Sequence, residues 1–220
     1  MKNGTDLPPL TDIVIFSRLR LPFETVLLYF ALPLLIITGL LPRFAIMPLL
    51  WLGMLYALFV LRKNGDTKLQ WHIDGNELRR VLVRFTLLGT LLGVAVWIIF
   101  PEMLFVFPRE RPGLWLLVIL LYPLLSALAQ EIVFRAFFTY RFERLIADRR
   151  LLILLNALLF SLVHGVFGNP VAMILSFLGG LLFMRTYLRT RSVSMSTFEH
   201  SLYGNLVFTL GIGGFFYHAG

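Results

Sequence analysis

Three short stretches of the sequence hold polar side chains where apolar runs would otherwise be continuous. Gln130, Glu131 and Arg135 stand in "ALAQEIVFRAFF"; Asn156 and His164 lie in the next run, and Glu199, His200, Tyr203 and Asn205 in the last. A carboxylate or an imidazole can take a proton from water, and a His/Asn pair can donate hydrogen bonds to a developing oxyanion. Carboxylates, two histidines, an arginine and side-chain amides therefore make a set suited to hydrolysis. Polar groups at membrane depth are costly, face the interior of a helix bundle and mark functional sites.

Spacing adds detail and leaves alternatives. Glu131 and Arg135 are at i, i+4 and can pair on one helix face, which also describes a buried ion pair that only fixes helix packing. Asn156, Phe160 and His164 follow one another at steps of four, and a lone histidine on such a face is also read as a hydrogen-bonded core residue. His200 and Asn205 are five apart, so a regular helix turns them about 140° from each other. Gly204, between them, could permit a deformation that closes this angle. Ser161 and Ser201 neighbour the histidines but carry no supporting motif. The chain has no G-x-S-x-G, H-E-x-x-H or G-x-x-x-x-G-K-[ST], and with no cysteine it has no thiol nucleophile, disulfide or zinc-thiolate site.

The elements that must position these residues are membrane helices. Of 220 residues 58% are hydrophobic, and the mean hydropathy is +0.82, above the composition of soluble domains. Apolar runs of span length lie near 22–41, 45–61, 81–100, 113–139, 151–167, 170–187 and 196–217. The fold class expected is thus all-α, a polytopic transmembrane bundle of about seven spans. The fourth run is too long for one straight crossing, and Pro123 should kink it; a broken or re-entrant piece around 113–122 would make eight elements. Before Gln130 the runs carry nothing comparable, and Arg84 lies close enough to the inner end of its run to snorkel.

The net charge of +8 is not gathered into one basic patch, so no nucleic-acid partner is expected. Arginines and lysines instead fill every second loop, which places the N-terminus in the cytoplasm and the C-terminus on the far side. The first apolar run reads as a retained anchor, since no cleavage site follows a short apolar core. The organisation expected is a cytoplasmic segment 1–21, transmembrane helices 22–112 and a catalytic helical core 113–220. No internal repeat or separate soluble domain is visible.

The three polar stretches resemble the CPBP family of intramembrane proteases, which includes the type II CAAX prenyl endopeptidases and bacterial Abi-type proteins. Its pattern is E-E-x-x-x-R, F-x-x-x-H and H-x-x-x-N on three successive membrane segments. Here these read Q-E-I-V-F-R (Gln130 to Arg135), F-S-L-V-H (Phe160 to His164) and H-S-L-Y-G-N (His200 to Asn205). The resemblance implies water activation by the first-motif glutamate and His164, and an oxyanion site at His200 and Asn205. It implies cleavage near the C-terminus of a lipidated or membrane-anchored protein in a bacterial inner membrane. "FEHSLYGNLVFT" is similar to members that process C-terminal sorting tails. No cofactor is implied, metal participation in the family has been argued both ways, and nothing in the sequence demands a metal.

Two departures bear on activity. Gln130 replaces the glutamate usually given the base role, so either Glu131 takes over or the protein is silent. The third motif has one extra residue, Gly204, so Tyr203, at i+3 from His200, is a substitute donor should Asn205 fall short. Two other functions stay open at this stage. One is a catalytically silent immunity or scaffold protein of the same fold. The other is a transporter, which should show paired broken helices in two related halves; no such symmetry is visible.

Overall fold

The computed structural model describes residues 23–63 and 69–216. The expected segment 1–21 and part of the 63–80 loop lie outside the described residues. Among those described there is no strand, only an isolated parallel bridge from Gln70 to Ser192. Seven helices occupy the places of the seven apolar runs: α1 (Phe23–Ile37), α2 (Arg43–Lys63), α3 (Gly75–Ile99), α4 (Pro112–Phe142), α5 (Arg149–Phe167), α6 (Pro170–Thr190) and α7 (Val193–Thr209). The helices α2 to α6 are long and apolar enough to cross a membrane, whereas α1 is shorter. The last, α7, has 17 residues, and the Ile212–Phe216 stretch after it is a separate 3-10 turn.

Most helix starts follow from local capping. Asp74 accepts a hydrogen bond from the amide of Glu77 at 2.6 Å, Asn169 from that of Ala172 at 2.9 Å, and Ser192 from that of Met195 at 3.3 Å, each satisfying an end amide that the helix cannot. Because Asp74 caps so well, α3 begins at Gly75 and not near residue 81: its first turn is polar, and an apolar-run criterion passes over it.

The fourth run is not split into two elements. It is one helix that carries two π-helical segments, Pro123–Ala127 and Ile132–Phe137. Pro123 lacks the amide a regular turn needs, and the wider turn accommodates this without a break. Ile132 to Thr139 are buried on every face, so this half of α4 is the axis of the bundle. Around it pack Tyr29, Val60, Phe160 and Phe183 from α1, α2, α5 and α6. The α5 and α6 helices approach closely at Gly180, where a Cβ would lie 2.8 Å from the Cα of Ala157.

Two charges ahead of Gln130, the buried Glu24 and the half-buried Arg84, correct the reading of that half as featureless. Glu24 is buried, accepts from Arg141 Nη2 at 2.7 Å and from the Tyr56 hydroxyl, and so fastens α1 to α2 and α4. Arg84 does not snorkel. Its Nε donates to Glu199 Oε1 at 2.9 Å and its Nη2 to Thr186 Oγ1 at 2.9 Å, which binds α3 to α6 and α7. The buried Glu199 carboxylate needs such a partner, since an uncompensated charge there is strongly destabilising. Beyond the helix ends, Arg191 pairs with Glu143, and that hydrogen bond holds the Glu143 carboxyl below its ordinary range.

Candidate active site

Glu131 sits between the two π segments of α4 and is fully enclosed. Its Oε1 lies 2.9 Å from His200 Nδ1 and its Oε2 3.3 Å from Arg135 Nε. Arg135 is itself enclosed. Its Nη1 donates to Asn156 Oδ1 at 2.9 Å, and Asn156 Nδ2 donates to the Phe134 carbonyl at 2.5 Å. The guanidinium carbon lies 4.5 Å from the Phe160 ring centre and 5.7 Å from that of Phe183, a cation–π arrangement that a dry site strengthens. The i, i+4 pair expected from spacing is thus present, with Asn156 of the same expected face joined to it.

A carboxylate only accepts, so the hydrogen of His200 is on Nδ1 and points at Glu131. The other nitrogen, Nε2, is 2.9 Å from the hydroxyl of Tyr122. The imidazole stacks on Phe183 at 4.5 Å and 17°, which fixes its plane. Tyr122, His200 and Glu131 therefore form one hydrogen-bonded line across α4 and α7. Tyr122 was not singled out from the sequence.

This line ends at a cavity of about 620 Å³. Tyr122, Gln130, His164, His200 and Tyr203 line its polar wall, while Leu32, Met47, Leu50, Leu88 and Leu91 line the apolar remainder. Glu131 and Asn205 are not among the lining residues. His164 donates from Nδ1 to the Phe160 carbonyl at 2.6 Å; a carbonyl only accepts, so Nε2 carries the lone pair. Gln130 donates from Nε2 to Ser126 Oγ at 2.8 Å, and its Oε1 is buried with no hydrogen-bond partner among the described residues. His164, His200 and Gln130 thus meet at one cavity, although His164 lies near the end of its helix and His200 near the middle of its own.

Asn205 is placed otherwise. Its Nδ2 donates to the Ile119 carbonyl of α4 at 3.2 Å, and α7 is regular from Val193 to Thr209. Gly204 does not deform the helix. It makes room: a Cβ there would lie 2.2 Å from Cε1 and 2.5 Å from the hydroxyl oxygen of Tyr122. Ser201 donates to the Thr197 carbonyl at 2.6 Å and Ser161 to that of Met173 at 2.8 Å, so both hydroxyls are committed to backbone. Among the described residues no three His, Asp or Glu side chains form a group that could hold a metal ion.

Residues 112–206, just under half of the chain, match the family model described as type II CAAX prenyl endopeptidase Rce1-like. All three polar stretches fall inside the matched segment, in agreement with the resemblance that they carry. Comparisons with curated proteins and with solved structures returned no match.

Proposed function

We propose, from this segment of CAAX-type intramembrane endopeptidase character, that the protein hydrolyses a peptide bond near the C-terminus of a membrane-anchored substrate. The substrate is a lipidated or sorting-tail-bearing protein, and the bilayer is the other partner. Residues 113–220 are the catalytic core and 22–112 the helices that enclose it, with the N-terminus in the cytoplasm of a bacterial cell and the C-terminus outside. The observation that carries the reading is the shared cavity wall, where His164 presents a free imidazole lone pair beside His200 and Gln130.

In this reading a water molecule attacks the scissile carbonyl carbon as His164 Nε2 takes its proton. Gln130 Oε1 accepts a hydrogen bond from the water and orients it, a part an amide can play without taking a proton. The oxyanion forms on the His200 side. Glu131 acts through His200, whose Nδ1–H it holds and whose tautomer and orientation it thereby fixes. When the C–N bond breaks, the proton on His164 passes to the leaving amine. Arg135, Asn156 and Phe160 keep Glu131 in place without touching substrate, and no step is assigned to a metal.

Peptide release tests this directly. The purified protein in liposomes should cleave a prenylated CAAX-type peptide or a membrane-anchored protein with a sorting tail. His164→Ala should lower the rate about 10²–10⁴-fold, the usual size of a lost general base, with folded yield unchanged. Equal rates for the two proteins would exclude His164 as the base.

A further inference from the structure

We infer that the Tyr122 hydroxyl, and not Asn205, is the group that completes the oxyanion site beside His200. The inference rests on the peptidase reading above and assigns a part of it that the motifs leave unfilled. On α7 the extra residue Gly204 turns Asn205 away from the His200 face, and its amide is used on the Ile119 carbonyl. The place left beside His200 is held by Tyr122, which lines the same cavity and contacts Nε2 at 2.9 Å. Gly204 is what admits it, since any Cβ at that position would overlap the phenol. The residue that displaces Asn205 is therefore also the one that opens space for its replacement. Tyr203 lines the cavity too, but its ring packs edge-on against Phe85 at 5.3 Å and has no hydrogen bond to His200 among the described residues.

The proton arrangement is consistent with the task. With His200 neutral, the phenol hydrogen is spent on Nε2. As charge develops on the carbonyl oxygen, the phenol O–H turns from Nε2 to that oxygen, so the hydrogen bond changes acceptor and no proton changes owner. A donor that engages the oxygen only once it carries charge stabilises the transition state more than the resting substrate. Tyr122 stays a phenol throughout, and His164 still carries the proton from water to the leaving amine.

The test uses full-length protein in liposomes with the prenylated CAAX-type peptide and, separately, binding of a phosphonate analogue of that peptide against its amide parent. Tyr122→Phe keeps the ring that packs at 5.7 Å on Phe208, so melting should be unchanged. Its kcat should fall about 10²–10³-fold, the loss typical of one oxyanion donor, with KM nearly constant. Its preference for the phosphonate over the amide should fall alongside kcat. Tyr203→Phe and Asn205→Ala should keep kcat within a few-fold of the wild type. Turnover or phosphonate preference that survives Tyr122→Phe overturns the assignment, as does an Asn205→Ala loss equal to that of Tyr122→Phe. A wild type that neither cleaves the peptide nor prefers the phosphonate overturns both this assignment and the peptidase reading. A wild type that prefers the phosphonate without cleaving this peptide overturns the chosen substrate alone, and Tyr122→Phe is then judged on the preference.

Discussion

At the scale of single residues, Glu131 is bound by two opposing demands. A carboxylate with no solvent contact is stable only if its charge is met, and Arg135 and His200 meet it from two sides. Arg135 in turn has no solvent contact, so each partner makes the other tolerable. Removing one leaves the other charged and unpaired, at a cost of about 3–5 kcal/mol. Arg135→Ala should therefore lower folded yield and melting temperature in detergent. Glu131→Gln keeps the shape but sets an amide, which can donate as well as accept, against His200 Nδ1 and so releases the ring to the other tautomer; it should lose cleavage by about 10²-fold or more as well as some stability. If Arg135→Ala melts like the wild type, the pair is not the buried clamp described here. Spacing alone suggested this pair. It did not indicate that Glu131 lies behind His200, because burial depth is set by helices far away in sequence.

At the scale of elements, the polar face of α4 depends on its π turns. Tyr122 and Glu131 are nine residues apart, and a regular helix would send them to opposite faces, about 900° of rotation. The Pro123–Ala127 π segment lies between them and changes that register, so both reach His200. This is why Tyr122 was not legible: its spacing argues against it, and the corrective turn is signalled in the sequence only by Pro123, which was read as a kink. Gly204 was legible as an exception but not in its role, which is the close approach of α4 to α7. Gly204→Ala should destabilise by about 1–3 kcal/mol, as overpacking does, and adding Tyr122→Ala should recover part of that loss. Thermal melts of the three proteins check it, and a wild-type melt for Gly204→Ala would contradict the contact. Arg84 and Glu199 tell a similar story, since each was visible but their pairing joins residues 115 positions apart.

At the scale of the whole molecule, the helical bundle and the positions of its seven helices were legible because apolar runs are set by bilayer thickness, a constraint stronger than any local propensity. Lengths were less so. At about 1.5 Å per residue α1 and α7 fall short of the roughly 30 Å of hydrocarbon, so neighbouring helices, tilt or local thinning must accommodate them. The α7 helix is also the one that carries Glu199 and His200, which explains why it is the less apolar of the two. The orientation proposed from loop charge can be checked apart from any activity. A reporter active only outside the cytoplasm should give signal when fused after Gly220 and none when inserted within 63–80. The opposite pattern would invert the bundle and move the site to the other half of the membrane.

If this cavity hydrolyses peptide bonds with His164 as the base, the new carboxylate takes its oxygen from water, which mass spectrometry of the cleaved peptide from a reaction run in heavy-oxygen water reads directly. Wild type, His164→Ala and Gln130→Glu would be compared in the same liposomes with equal amounts of folded protein. The expected result is a new C-terminal carboxylate carrying one heavy oxygen, formed about 10²–10⁴-fold more slowly by His164→Ala. Gln130→Glu should form it at the wild-type rate or faster, because a carboxylate at that wall of the cavity restores the paired glutamates of the family pattern. No labelled product from the wild type would rule out hydrolysis at this cavity, and the same rate from His164→Ala would rule out His164 as its base.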